Sequence, residues 1–138
     1  MDIIVTTPKS QMENARREAA DVKAAGGGEY FRRFHSKPPV HPGERVYYVE
    51  DGYVRGFALV DRVEHHPNGM RCESTGRFWQ YGWYVFMDAA CWCWIEPVAM
   101  TGFQNFRLAH MDPKHRLLEP KIVGGWLDPK PEVSNDAR

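Results

Sequence analysis

The sequence predicts an α+β domain, with an N-terminal strand and one packed helix set against a small mixed β-barrel or sheet of five or six strands. Three observations predict it. The chain has 138 residues, one domain's worth, with no room for a second independent core. A helical periodicity occurs near the start and is closed by a run of glycines. From Tyr30 onward the apolar pattern changes to period two, punctuated by hairpin turn signals.

Taken in order, Ile3-Ile4-Val5 reads as a short buried strand ended by Pro8. Ser10 and Glu13 fit a capping box, in which a hydroxyl and a carboxylate three residues apart satisfy each other's orphan amides. A helix is expected from Gln11 to Ala25, with Met12, Ala15, Ala19 and Val22 on one face, and Gly26-Gly27-Gly28 stops it. Tyr30 to Phe34 is short and extended, and Lys37 to Gly43 is a turn-rich loop. Arg45 to Glu50 has the β-branched and aromatic content of a strand, and Asp51-Gly52 is a two-residue hairpin signal. Tyr53 to Val63 returns as a longer strand containing Gly56, which marks a bulge or a close approach of another backbone or a ligand. His65 to Gly69 reads as a turn, Trp83 to Asp88 and Ala90 to Ile95 as strands, and Pro97 as the end of the second. The domain is expected to span 1–127, with a loose tail from Asp128 to Arg138.

Lys plus Arg and Asp plus Glu both total 18, so the formal net charge is zero, which argues against a polycation holding nucleic acid by bulk charge. The apolar stretches are broken well before the roughly 20 residues of a membrane span, and the N-terminus lacks the pattern of a signal peptide. Three cysteines argue against a disulfide framework and for a reducing compartment, so the expected location is cytoplasmic.

The aromatic residues are concentrated. Ten of the eighteen lie between Phe78 and Phe106, including four of the five tryptophans. This segment is either the core sheet or, in part, the lining of a pocket for something flat, since each buried indole N–H needs a partner.

Pro42-Gly43-Glu44-Arg45-Val46-Tyr47-Tyr48-Val49, followed after the turn by Val54-Arg55-Gly56-Phe57-Ala58-Leu59-Val60, resembles the PUA-like superfamily, which includes the PUA, ASCH, EVE and YTH domains. Ile95-Glu96-Pro97-Val98 and Gly102-Phe103-Gln104-Asn105-Phe106-Arg107 resemble the strand, proline and turn that follow in ASCH-like members. The resemblance spans about Ile3 to Leu108 and implies binding of RNA or of a nucleobase, often a modified one. Some ASCH-like proteins resemble hydrolases or nucleases acting on modified nucleosides or RNA. Their signature lysine precedes an arginine by five residues; if that arginine is Arg33 or Arg32, the lysine place holds Gly28 or Gly27. Lysine-dependent hydrolysis therefore lacks its amine, and a binder is favoured over an enzyme.

Arg32 and Arg33 flank Tyr30, Phe31 and Phe34, and on a strand they point to opposite faces. From Lys23 to Lys37 four basic residues face one acidic residue, Glu29, which suits a phosphate or the plane of a base or, equally, a solvated edge. Trp92 and Trp94 share one strand face, and Cys91, Cys93 and Ile95 share the other. The cysteines and Ile95 read as core, and the tryptophans need a second core layer or a stacked ligand, with Trp79 and Trp83 able to approach them as an aromatic cage. His65, His66 and Cys72 lack convergent zinc-ligand spacing, and adjacent histidines diverge in an extended segment, so no metal or other cofactor is expected. Glu29, Glu64 and Asp88 are the general-base candidates if an enzyme is hidden here.

The expected function is therefore a nucleic-acid or modified-nucleobase binding module. Its expected site residues are Arg33, Phe34, Trp92, Trp94 and Gln104, supported by Arg32, Trp83 and Asn105, with the two amides reading a base edge. The partner is RNA, DNA or a modified nucleoside, with no membrane. The rival expectations are an ASCH-like hydrolase or nuclease, and a small phage or mobile-element protein that binds a host protein.

Overall fold

A computed structural model describes residues 1–6, 29–71, 76, 78–88, 91–100, 106–108, 120–125, 128 and 131–132. Every regular element among them is a strand: β1 (Ile3–Thr6), β2 (Glu29–Phe34), β3 (Arg45–Glu50), β4 (Tyr53–His66), β5 (Met70–Arg71), β6 (Phe78–Trp79), β7 (Gly82–Asp88), β8 (Cys93–Ala99), β9 (Phe106–Leu108) and β10 (Ile122–Gly125). This overturns the α+β expectation. The helix expected over 11–25 lies outside the described residues, which form an eight-stranded curled, half-barrel sheet and a separate two-stranded β5–β6 pair.

The curl brings the two ends of the described sheet together around an inner core. Strand order runs β10-β8-β4-β3-β1-β9, and β7 and β2 branch from the far half of β4. β1 and β3 pair in parallel; the other ladders are antiparallel. Along the path β2-β7-β4-β3-β1-β9 the two ends meet: the rings of Phe34 on β2 and Phe106 on β9 lie edge to face with centroids 5.9 Å apart. Residues from all six of those strands, among them Ile3, Val46, Tyr48, Val60, Val85 and Met87, make one inner cluster. The opposite face of the β1–β3–β4–β8 portion carries a second buried cluster of Ile4, Tyr47, Val49, Val54, Phe57, Ile95 and Met100. Period-two alternation thus places apolar side chains on both sides of the same strands.

Several local features follow from residue type. Asp51 and Gly52 both adopt positive φ, +53° and +83°, which suits the tight β3–β4 hairpin. Gly56 satisfies both meanings of a mid-strand glycine. Arg55 is the extra residue of a bulge, since Tyr48 pairs Gly56 and Val49 pairs Val54, and a Cβ at Gly56 would strike the carbonyl of Cys93 and stand 2.5 Å from the Trp92 ring.

Several elements differ from expectation. β4 continues to His66 because its last residues pair with β7. β8 runs through Pro97, which lies where the β4–β8 ladder is interrupted between Val98 and Trp94, so its missing N–H leaves no gap. β9 and β10 are strands in regions without a clear alternation, formed by pairing with β1 and β8. In the C-terminal segment, Asp128 accepts a hydrogen bond from the Gly125 amide at 2.6 Å, and the Arg55 guanidinium donates to the Pro131 carbonyl. Among the described residues no helix is long and apolar enough to cross a membrane.

Candidate nucleic-acid interface

The expected pocket on Trp92 and Trp94 is not formed. Both indoles are 1% exposed and belong to the inner cluster, edge to face with each other at 5.3 Å, and Trp92 also packs on Tyr48 at 5.2 Å. The period-two reading of their shared face holds, but the face is core: the curl closes over it, and Gly56 supplies the space that the Trp92 ring occupies. Trp79 does not join them, and Trp83 reaches the same inner cluster only as a partly buried residue packed against it. Trp79 packs edge-on against Phe31 at 5.2 Å, and Trp83 stands at the end of β7. Gln104 and Asn105 lie outside the described residues.

Arg32 and Arg33 do point to opposite faces. Arg32 turns inward, its Nη2 donating to the Thr6 carbonyl at 3.0 Å, with its guanidinium carbon 5.9 Å from the Phe34 ring centroid. Burial pushes its pKa down from the ordinary value, opposed by the nearby Tyr48 hydroxyl. Phe34 itself is buried in the inner cluster. Arg33 turns outward: a Cβ at Gly82 would lie 3.1 Å from its Cγ, and its Nη1 donates to the Tyr81 carbonyl at 2.9 Å. Of the expected site, Arg33 and Trp83 remain together at one end of the sheet, accessible though on opposite faces.

That end is a rim. The antiparallel ladders bring together the last residues of β2 and β4 and the first of β7, with Phe34 opposite Trp83, His65 opposite Trp83 and His66 opposite Gly82. The rings of exposed His65 and half-buried Trp83 stack with centroids 4.2 Å apart and planes 13° from parallel. The Lys37 ammonium lies 5.2 Å from the Trp83 centroid, within cation–π range. Tyr81, 60% exposed, and Phe78, 57% exposed, extend the aromatic surface toward the β5–β6 hairpin. Among the described residues of 33–37, 65–71 and 78–83, the sequence has Arg33, Lys37 and Arg71 with no carboxylate, and His35, His65 and His66 besides. A chain with zero net charge therefore carries a local basic excess, interleaved with aromatic rings.

The nearest described carboxylate is held on the other face. Glu64 receives a charge-assisted hydrogen bond from Arg62 Nε, and its Oε1 lies 2.8 Å from His66 Nε2. Arg62 and then His66 hold the Glu64 carboxyl below the usual carboxylate range. Glu64 is thus engaged by two partners, and Asp88 lies at the far end of β7, so neither stands poised as a base at the rim. His65 and His66 diverge as adjacent strand residues must, His66 meeting Tyr84 edge-on at 5.3 Å. Among the described residues no three His, Cys, Asp or Glu side chains stand close enough to hold a metal ion. Cys91 and Cys93 are free thiols, and burial pushes the Cys93 thiol pKa up, making it a poor nucleophile.

Sequence reasoning missed Lys37, His65 and Tyr81. The signals are in the sequence: Lys37 closes the basic stretch, Tyr81 lies in the aromatic-dense segment, and His65 stands beside His66 as a metal-ligand candidate. No protein-family model matches the chain, and no curated protein or solved structure is significantly similar to it.

Proposed function

We propose that the chain binds single-stranded nucleic acid, or a modified nucleobase within it, at the rim. Trp83 is the stacking platform, and Lys37 and Arg33 contact phosphate. One observation carries the reading: a reachable indole, flanked by a lysine and a histidine ring, at the edge of a surface rich in cations and exposed aromatic rings. Stacking of a base on an aromatic ring contributes about 1–3 kcal/mol and tolerates any sequence, because every base has a π-face. The cations add a term that weakens with salt. The setting that suits free thiols at Cys91 and Cys93 is a reducing one, the cytoplasm.

The test is a titration of the full chain with an unpaired oligonucleotide, a uridine 12-mer and its deoxythymidine counterpart, at low and moderate salt. Tryptophan fluorescence should be quenched, and affinity should fall as salt rises. Trp83→Ala should bind about 5- to 150-fold more weakly, the equivalent of one lost stacked base. No binding at low salt, or unchanged binding by Trp83→Ala, would overturn the proposal.

A further inference from the structure

The stacking position on Trp83 is already filled. His65 and Trp83 are directly opposed in the β4–β7 ladder, so their side chains leave the sheet side by side on the same face. The imidazole lies nearly parallel to the indole, 4.2 Å from it between centroids. An imidazole is a flat, nitrogen-containing heterocycle, equivalent in shape to the five-membered half of a purine. Its neighbour His66 is turned to the opposite face and engaged with Glu64, while the His65 ring is exposed and, among the described residues, its specific contact is this stack.

We infer that His65 is a displaceable occupant of the base position, so that an incoming base binds by swinging the imidazole off Trp83 and taking its place. This rests on the reading of Trp83 as a stacking platform. It has a structural consequence: the rim accepts one unpaired base at this point, and a duplex, whose base faces are covered by their own neighbours, is refused. Lys37, which lies over the same indole, stays to meet the negative charge that accompanies the base. His65 is thereby a specificity-determining residue that competes with ligand.

The experiment compares the full chain with His65→Ala and His65→Phe, using the uridine 12-mer and a blunt RNA duplex of equal length as probes. An aromatic pair of this kind contributes about 0.5–1.5 kcal/mol, which converts to about 2- to 12-fold in affinity. His65→Ala should bind the single strand tighter by that factor with an unchanged salt dependence. His65→Phe, a more apolar occupant that keeps the rim folded, should bind it more weakly. In the unmodified chain the ring-current shift that Trp83 imposes on the His65 imidazole protons should vanish when the single strand saturates the site. Weaker or equal binding by His65→Ala, a persisting ring-current shift at saturation, or duplex affinity matching the single strand would overturn the inference. If the unmodified chain fails to bind, or Trp83→Ala binds as well as it does, the proposed function has failed and the inference falls with it.

Discussion

The segment from Phe78 to Trp94 supplies two aromatic regions with opposite fates. Trp92 and Trp94 are sealed in the inner cluster, whereas Trp83 and the preceding Tyr81 stand where β2 and β4 stop and β7 begins, with exposed Phe78 on the separate β5–β6 pair. Composition and spacing do not separate them, since tryptophans two apart on a strand share a face in either case. What separates them is position along the curl. The inner cluster that Phe34 and Phe106 help to close seals Trp92 and Trp94, whereas Trp83, opposite Phe34 where the ladder ends, packs against that cluster and stays partly exposed. An aromatic run is therefore core where the sheet closes over it and stays reachable only where the ladder ends.

The largest expected effect lies in the sealed region. Trp92→Ala should cost about 3–5 kcal/mol of unfolding free energy, as large-to-small changes of a buried indole do. Gly56→Val should cost about 1–3 kcal/mol, because the new side chain meets the Cys93 carbonyl and the Trp92 ring. Urea unfolding followed by circular dichroism measures both. If Trp92→Ala instead left stability intact and weakened ligand binding, the contrast between core and rim would be lost.

At the rim the order of effects reverses. Trp83→Ala should remove most of the oligonucleotide affinity while costing less stability than Trp92→Ala, because Trp83 is only partly buried and gives up fewer contacts. Running both variants through the same unfolding and binding measurements gives the sharpest form of the comparison. Two losses of equal size in both assays would show one cooperative unit in place of a core and a site.

The smaller rim effects are electrostatic. Lys37→Met should lower the slope of log affinity against log salt by about 1 and weaken binding evenly across sequences. Arg33→Met should do the same and also loosen Tyr81, whose carbonyl the guanidinium holds. A variant that changed base preference without changing the salt slope would move that residue from phosphate to base contact.

Much of this fold was legible, for reasons that can be named. The alternation of Arg45 to Glu50, the Asp51-Gly52 turn and the need for glycine at 56 are local, and each residue carries its own conformational or steric argument. The opposite orientations of Arg32 and Arg33 follow from the pleat alone. β9 and β10 were not legible, because three- and four-residue strands owe their existence to partners distant in sequence. The fold class failed for the same reason: the meeting of β2 with β9 is a long-range fact, and it is what makes the inner core close on itself. Of the candidate site residues, Trp92 and Trp94 are sealed in the core, and Arg33 and Trp83 lie at the end of the sheet. Two apolar layers on one sheet make the Trp92 face and the Ile95 face both core, and no pattern within a single strand distinguishes a second core layer from a ligand.

The smallest effect concerns the carboxylate kept off the rim. Arg62, and after it His66, hold the Glu64 carboxyl below its ordinary range in the folded chain. In the unfolded chain it titrates near its reference value of about 4.3, so between the two values the unfolded state binds more protons. The contribution to stability is therefore complete above about pH 4.3 and lost as the pH falls through the depressed folded value. The cluster is partly exposed and screened, so the amount is under about 1 kcal/mol. Glu64→Gln should be less stable than the unmodified chain at pH 7 by no more than this, and the two should converge at pH 2. High salt should narrow the gap at pH 7 as well. Because Glu64 neutralises cations beside the rim, the same substitution should raise oligonucleotide affinity slightly at neutral pH. A drop in affinity would place Glu64 at the interface itself and redraw the boundary between the two regions.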